Sequence, residues 1–156
     1  MSGVLGVHLK VVGGRYVAGF AWVESGTVRT EPSLAAPAET DRGLSELYQR
    51  ALELARKHPT TLALLKNEAL RAPASLRIAA RAEGVVIAAA QHMQVAVAEW
   101  AGSGLYKAAG LPKAKGVTVK MAVARLVAES GSNSADDAQS LAIAVAVAEA
   151  KRTGAF

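Results

Sequence analysis

Thr61 to Leu65 is an unbroken apolar run of strand length that directly follows a stretch with helical periodicity, and no other feature constrains the fold as much. A strand without polar alternation is covered on both faces. Such strands belong to parallel ladders, and a parallel strand is reached by a crossover helix. The crossover is read from about Asp41 to Lys57, where Leu44, Leu47, Tyr48, Ala51, Leu54 and Ala55 recur at i, i+3, i+4 and i+7. Thr40 or Asp41 suits its N-terminal cap, and Pro59 lies just past its end.

Upstream, Gly3 to Val7 is a short apolar run, while Arg15 to Val23 and Thr27 to Thr30 alternate or carry β-branched and aromatic residues. Gly13-Gly14 and Ser25-Gly26 are turn signals, so the three runs read as antiparallel strands. Ser33 to Thr40, small and polar with Pro32 and Pro37 in or beside it, reads as a surface connection. Downstream, Pro73 marks a loop, a helix is expected from about Ser75 to Gln91, and Gln94 to Ala98 reads as a further strand. Loops are expected near Gly102 to Gly104 and at Gly110 to Pro112, a helix from about Val117 to Ala128, a turn from Gly131 to Ser134 and a long Ala/Val/Ile helix from Asp136 to Lys151. The expected architecture is therefore α/β, a mixed central sheet flanked by helices, in one domain spanning 1–156.

Composition adds limits. With 51% hydrophobic residues and 20% charged, general disorder is excluded. Only 2 Trp, 3 Tyr and 2 Phe occur among many alanines, so helices here must pack closely on small side chains. The absence of cysteine excludes disulfide scaffolds and Cys-based zinc sites and fits a reducing cytosol. A signal peptide is not expected, because Lys10 interrupts the first apolar stretch and no cleavage-site context follows. The best membrane candidate, Val85 to Ala98, is broken by Gln91, His92 and Gln94 and is shorter than the roughly 20 residues a spanning helix needs. A soluble, cytoplasmic protein is the expectation.

The formal net charge is +5. Between Glu99 and Glu129 stand Lys107, Lys113, Lys115, Lys120 and Arg125 with no acid, so this segment supplies all of the net charge. Clustered cations focus potential where scattered ones cancel, and an anionic partner is the natural match. The plainer alternative is a solvated face that lacks acids.

Three spots can carry chemistry: His8 at the end of the first strand, Glu68 beyond the buried strand, and Asp136-Asp137 opening the last helix. Converging carboxylates at strand ends and a helix start would hold divalent metal for phosphoryl transfer. Each has a plainer reading. Ser134 with Asp137 three residues on is an N-terminal capping pattern. His8 alone suits a hydrogen-bonded strand histidine, and Glu68, among Lys66, Asn67 and Arg71, suits a solvated loop acid.

The run Asp136-Asp137-Ala138-Gln139-Ser140-Leu141-Ala142-Ile143-Ala144 resembles the Asp-Ala-Ala-Asp-Ala-Leu-Ala-Ile-Ala start of the last helix in RuvC-type Holliday junction resolvases. Val4-Leu5-Gly6-Val7-His8 is similar to that family's Ile-Leu-Gly-Ile-Asp first strand, and Ala82-Glu83-Gly84-Val85-Val86-Ile87-Ala88-Ala89-Ala90 to its Ala-Arg-Gly-Val-Ala-Ile-Val-Ala-Ala helix. Glu99-Trp100-Ala101 matches its Glu-Tyr-Ala, and Lys107, Gly110-Leu111 and Lys115 follow its basic loop. The four segments keep order and spacing over nearly the whole chain. The resemblance implies an RNase H-like fold, a homodimer gripping a four-way DNA junction in recombination and repair, and two-metal hydrolysis by four acids.

The departures fall on those acids. The first-strand Asp becomes His8, the strand-end Glu falls on Leu65, and of the last helix's pair Asp136 is kept while its partner is Gln139. The aromatic wedge of the family falls on Glu68. Neighbours substitute poorly: Glu68 is about 10 Å along an extended chain from Leu65 and on the opposite face, and Asp137 points about 100° around the helix from Asp136. Two divalent ions need anionic oxygens to offset their charge, so no metal and no cofactor is expected and hydrolysis should be absent or very weak. Phosphate contacts do not need those acids. The reading is a catalytically silent RuvC-like DNA binder, selecting branched DNA as a homodimer through Lys107, Lys113, Lys115, Lys120 and Arg125. Two alternatives stand beside it. One is an active endonuclease with Mg2+ or Mn2+ on a remodelled site of His8, Glu68, Asp136 and Asp137. The other is a structural or regulatory dimer without nucleic-acid affinity.

Overall fold

The computed structural model describes residues 3–37, 41–57, 60–67 and 70–156. Strands β1 (Val4–Val12), β2 (Arg15–Glu24) and β3 (Thr27–Pro37) form an antiparallel meander. Helix α1 (Asp41–Lys57) crosses to β4 (Thr61–Leu65), and α2 (Pro73–His92) crosses to β5 (Ala96–Trp100). The two crossovers add β4 and β5 in parallel to β1, giving one five-stranded sheet in the order β3-β2-β1-β4-β5. The expected mixed sheet flanked by helices is what the chain forms. Beyond β5 come α3 (Gly104–Ala108), α4 (Val119–Ser130) and α5 (Asp137–Thr153).

Strand alternation divides the interior in two. Leu5, Val7 and Leu9 of β1, Tyr16, Phe20 and Trp22 of β2 and Leu62 and Leu64 of β4 share a core with α1 and α2. Val4, Ala21, Val23, Ala63 and Leu65 point the other way and share a second core with α3, α4 and α5. Helix α5 is buried on almost every side between the sheet and α4, which its alanine-rich sequence permits. Its backbone lies against the sheet at two glycines. A Cβ at Gly6 would collide with the carbonyl oxygen of Ala142, and one at Gly19 with that of Ala138.

Several boundaries differ from the sequence reading. β1 outruns its apolar run because the hairpin keeps pairing to Val12 opposite Arg15, which places His8 in mid-strand, while β2 differs from its expected run only by Glu24. The connection expected from Ser33 is instead strand to Pro37, with Leu34 opposite Ala18 and Ala36 opposite Tyr16. Prolines are tolerated there because β3 is an edge strand with one set of backbone groups unpaired. Pro73 opens α2 rather than marking a loop, since the first helical residue has no use for its N–H. Gln94 sits in a turn at φ 58°, which moves β5 two residues on from its expected start. Thr40 and Pro59, the expected cap and stop of α1, lie outside the described residues. Among the described residues no helix is long and apolar enough to cross a membrane.

Candidate nucleic-acid interface

His8 faces α5 at the last rung of the parallel β1–β4 ladder, opposite Leu65. It is 6% exposed, and its Nδ1–H donates to the backbone oxygen of Leu65 at 2.9 Å. Burial pushes its pKa below the ordinary value; the bond to Leu65 opposes this and the nearby ammonium of Lys10 adds to it. The imidazole is therefore neutral. The Leu65 side chain lies in the α5-side core, fully apolar, beside Ala63 and Leu105.

Asp136 is the N-cap of α5: its Oδ1 accepts from the backbone N–H of Gln139 at 2.8 Å. The capping pattern read on Ser134 and Asp137 is thus corrected. Asp136 takes the cap, and Ser134 instead meets the hydroxyl of Ser140 at 2.5 Å. Gln139 is 5% exposed and uses both ends of its amide. Its Oε1 accepts from the Ala135 N–H at 2.7 Å, and its Nε2 donates to the Glu31 carbonyl at 2.9 Å, tying the start of α5 to edge strand β3. A carboxylate there would have no N–H to offer Glu31.

Asp137 is exposed and paired with Lys10 at 2.7 Å. The hydrogen bond and charge of Lys10 hold its carboxyl below the usual range, with Lys120 adding to the effect. Lys10 stands two residues after His8 on the same face of β1, a placement that strand alternation would have revealed and that the reading of acids alone passed over. Glu68 lies outside the described residues. Among the described residues no group of three or more His, Cys, Asp or Glu could hold a metal ion. A leucine, a neutral imidazole, a committed amide and a capping carboxylate are the wrong donors for a pair of divalent cations.

The basic segment is differently disposed. Lys107 on α3, Lys113 and Lys115 on the loop before α4, and Lys120 and Arg125 on α4 are all exposed. None of the five forms a salt bridge among the described residues. Some cations elsewhere are engaged: Lys66 faces Glu99, Lys151 holds Glu129, and Arg152 holds the buried Glu149. Arg15, Arg56, Arg71, Arg77 and Arg81 are exposed and form no salt bridge among the described residues either, so what sets the Lys107 to Arg125 segment apart is its lack of acids. Lys120 lines a cleft of about 390 Å3 together with Lys10 and Asp137, beside the start of α5. Lys107 and Lys113 line a larger cavity near the other end of that helix. The expected loop near Gly102 to Gly104 leads straight into α3, which gives Lys107 a helical base.

No family model and no curated protein matches the sequence. Solved structures do match. RuvC of Thermus thermophilus, in a complex with a Holliday junction substrate, superposes with a TM-score of 0.75 at 18% identity, covering 99% of this chain and 98% of that one. Another structure of Thermus thermophilus RuvC gives 0.74 at 18% identity over 98% and 97% of the two chains. The yeast mitochondrial Holliday junction resolvase Ydc2 gives 0.51 at 13% identity over 93% and 76%. The chain is built on the RuvC form of the RNase H-like fold.

Proposed function

We propose that the chain is a RuvC-like protein that binds branched DNA as a homodimer and has little or no nuclease activity. The observation that carries this reading is the set of five exposed, unpaired cations at Lys107, Lys113, Lys115, Lys120 and Arg125. Exposed cations outside salt bridges are available to phosphate, and their association with DNA releases counterions. The fold is that of a RuvC recorded on a Holliday junction, which gives the partner class. Silence rests on the donors described above: three of the four positions that carry acids in the family are His8, Leu65 and Gln139. Dimerisation is supported by the outer face of α2, where Ala80, Gly84 and Ala88 are exposed at four-residue spacing and Gly84 has open space around it.

The test is binding of a four-armed junction and of linear duplex at several salt concentrations, followed by incubation with Mg2+ or Mn2+. Junction binding that falls steeply with salt and collapses in Lys113→Glu with Lys115→Glu supports the reading. Unchanged binding in that double variant refutes it. Metal-dependent cleavage that disappears in Asp136→Asn refutes the silent site and favours a remodelled nuclease.

A further inference from the structure

A cavity of about 990 Å3, separate from the cleft of Lys10, Lys120 and Asp137, opens between β5, α3 and the end of α5. One wall is aromatic and apolar, made by Trp100, Tyr106 and Leu111. Trp100 is fixed in that wall. Its Nε1–H donates to Glu149 at 2.9 Å, and its ring lies against Gly104, where an added Cβ would stand 3.0 Å from Cε3. Glu149 is fully buried and also bound by Arg152, so neither its charge nor that of Arg152 is free for a ligand. Lys151 is likewise engaged, by Glu129 and by the carbonyl of Ala108. Two cations on the rim remain uncommitted, Lys107 and Lys113.

An aromatic wall next to two free ammonium groups matches a ligand that is flat and apolar at one end and anionic at the other. We infer that this cavity receives a single nucleotide, its base against the Trp100 wall and its phosphate on Lys107 and Lys113. The choice of a nucleotide among aromatic anions rests on the DNA-binding reading above. Base stacking on an aromatic side chain beside a basic groove is how unpaired strands are held without sequence preference. The nucleotide can come from a free pool or from an unpaired end of a DNA strand.

The experiment follows the indole N–H resonance of Trp100 in the full chain, told from that of Trp22 by a Trp22→Phe variant. Probes are dTMP, thymidine, a fully paired four-armed junction, and the same junction with a single-stranded thymidine tail. The expected result is a saturable shift with dTMP or with the tailed junction, about tenfold weaker in Lys107→Ala with Lys113→Ala. A shift with dTMP assigns the site to free nucleotide as well, and a shift with the tailed junction alone assigns it to DNA. Thymidine binding as tightly as dTMP overturns the role of the two lysines. If both junctions bind while no probe moves the resonance, the cavity inference fails and the DNA reading stands. If dTMP moves it and no junction binds, the reverse holds.

Discussion

The Nδ1–H of His8 donates to the carbonyl oxygen of Leu65 across 2.9 Å, joining β1 to the last residue of β4. A carbonyl only accepts, so the bond selects the tautomer protonated at Nδ1 and leaves Nε2 as a lone pair. His8, which the resemblance sets against an acid, is thus a neutral strand-to-strand tie. Leu65 alongside it and Lys10 two residues on offer no anionic oxygen.

Burial of this imidazole makes stability depend on pH. Unfolded, the imidazole titrates at about its ordinary 6.5; folded, burial lowers that value. Below 6.5 the unfolded chain binds more protons than the folded one, so protonation favours unfolding. The contribution is complete above 6.5 and declines as pH falls. Glu149 does not confuse the window. Burial raises its pKa, but the hydrogen bonds from Arg152 and Trp100 outweigh that and hold it below 4.5, so its contribution is lost only in stronger acid. Urea midpoints measured between about pH 8 and about pH 5 should fall for the native chain and fall less for His8→Asn.

Gln139 gives a second measurement. Gln139→Asp introduces the acid that the resemblance implies at this position but removes the N–H that serves Glu31 and shortens the reach to Ala135. Two part-buried hydrogen bonds are lost, each contributing about 0.5–1.5 kcal/mol. Denaturant unfolding should show that loss without a change in the slope of free energy against urea. An unchanged midpoint would mean that the amide bridge contributes nothing.

Metal binding can be tested by restoring the donors. The native chain should show no rise in Tm with Mn2+, nor should His8→Asp, which leaves Leu65 apolar and Gln139 committed. His8→Asp, Leu65→Glu and Gln139→Asp together with native Asp136 supply four carboxylates. In that variant Mn2+ at a hundred times its dissociation constant should stabilise by about 2.7 kcal/mol. A Tm rise in the native chain would show that the site still holds the ion.

How far the sequence spoke depended on whether a signal was local. The apolar run at Thr61–Leu65 and the helical spacing of Asp41–Lys57 match β4 and α1 residue for residue, because burial and amphipathicity are written in consecutive positions. β3 was cut short because its last residues are held by register with Tyr16 and Ala18 rather than by their own propensity. His8, Leu65 and Asp136 could be placed near one another from order alone. The Lys10–Asp137 pair and the bridge from Gln139 to Glu31 join positions more than a hundred residues apart, and no local pattern announces them.

Two glycines that look alike in the sequence should respond oppositely to alanine. At Gly19 an added Cβ would strike the backbone of Ala138 and Gln139, and backbone cannot rotate aside as a side chain can. Helix α5 would have to lift from β2, opening the core shared by Ala21, Ala142 and Ala146. Gly19→Ala should therefore destabilise by about 3 kcal/mol or more, at the upper end for an overpacked site. Gly84 lies inside α2 with nothing within 4 Å of an added Cβ. There the substitution only narrows the unfolded ensemble and improves helix propensity, so Gly84→Ala should stabilise the folded monomer by about 0.5–1 kcal/mol. Thermal unfolding of both variants reads the two signs. Light scattering on Gly84→Ala reads a further consequence: if α2 packs against a second copy through this face, the added methyl shifts the dimer toward monomer while the monomer itself gains stability.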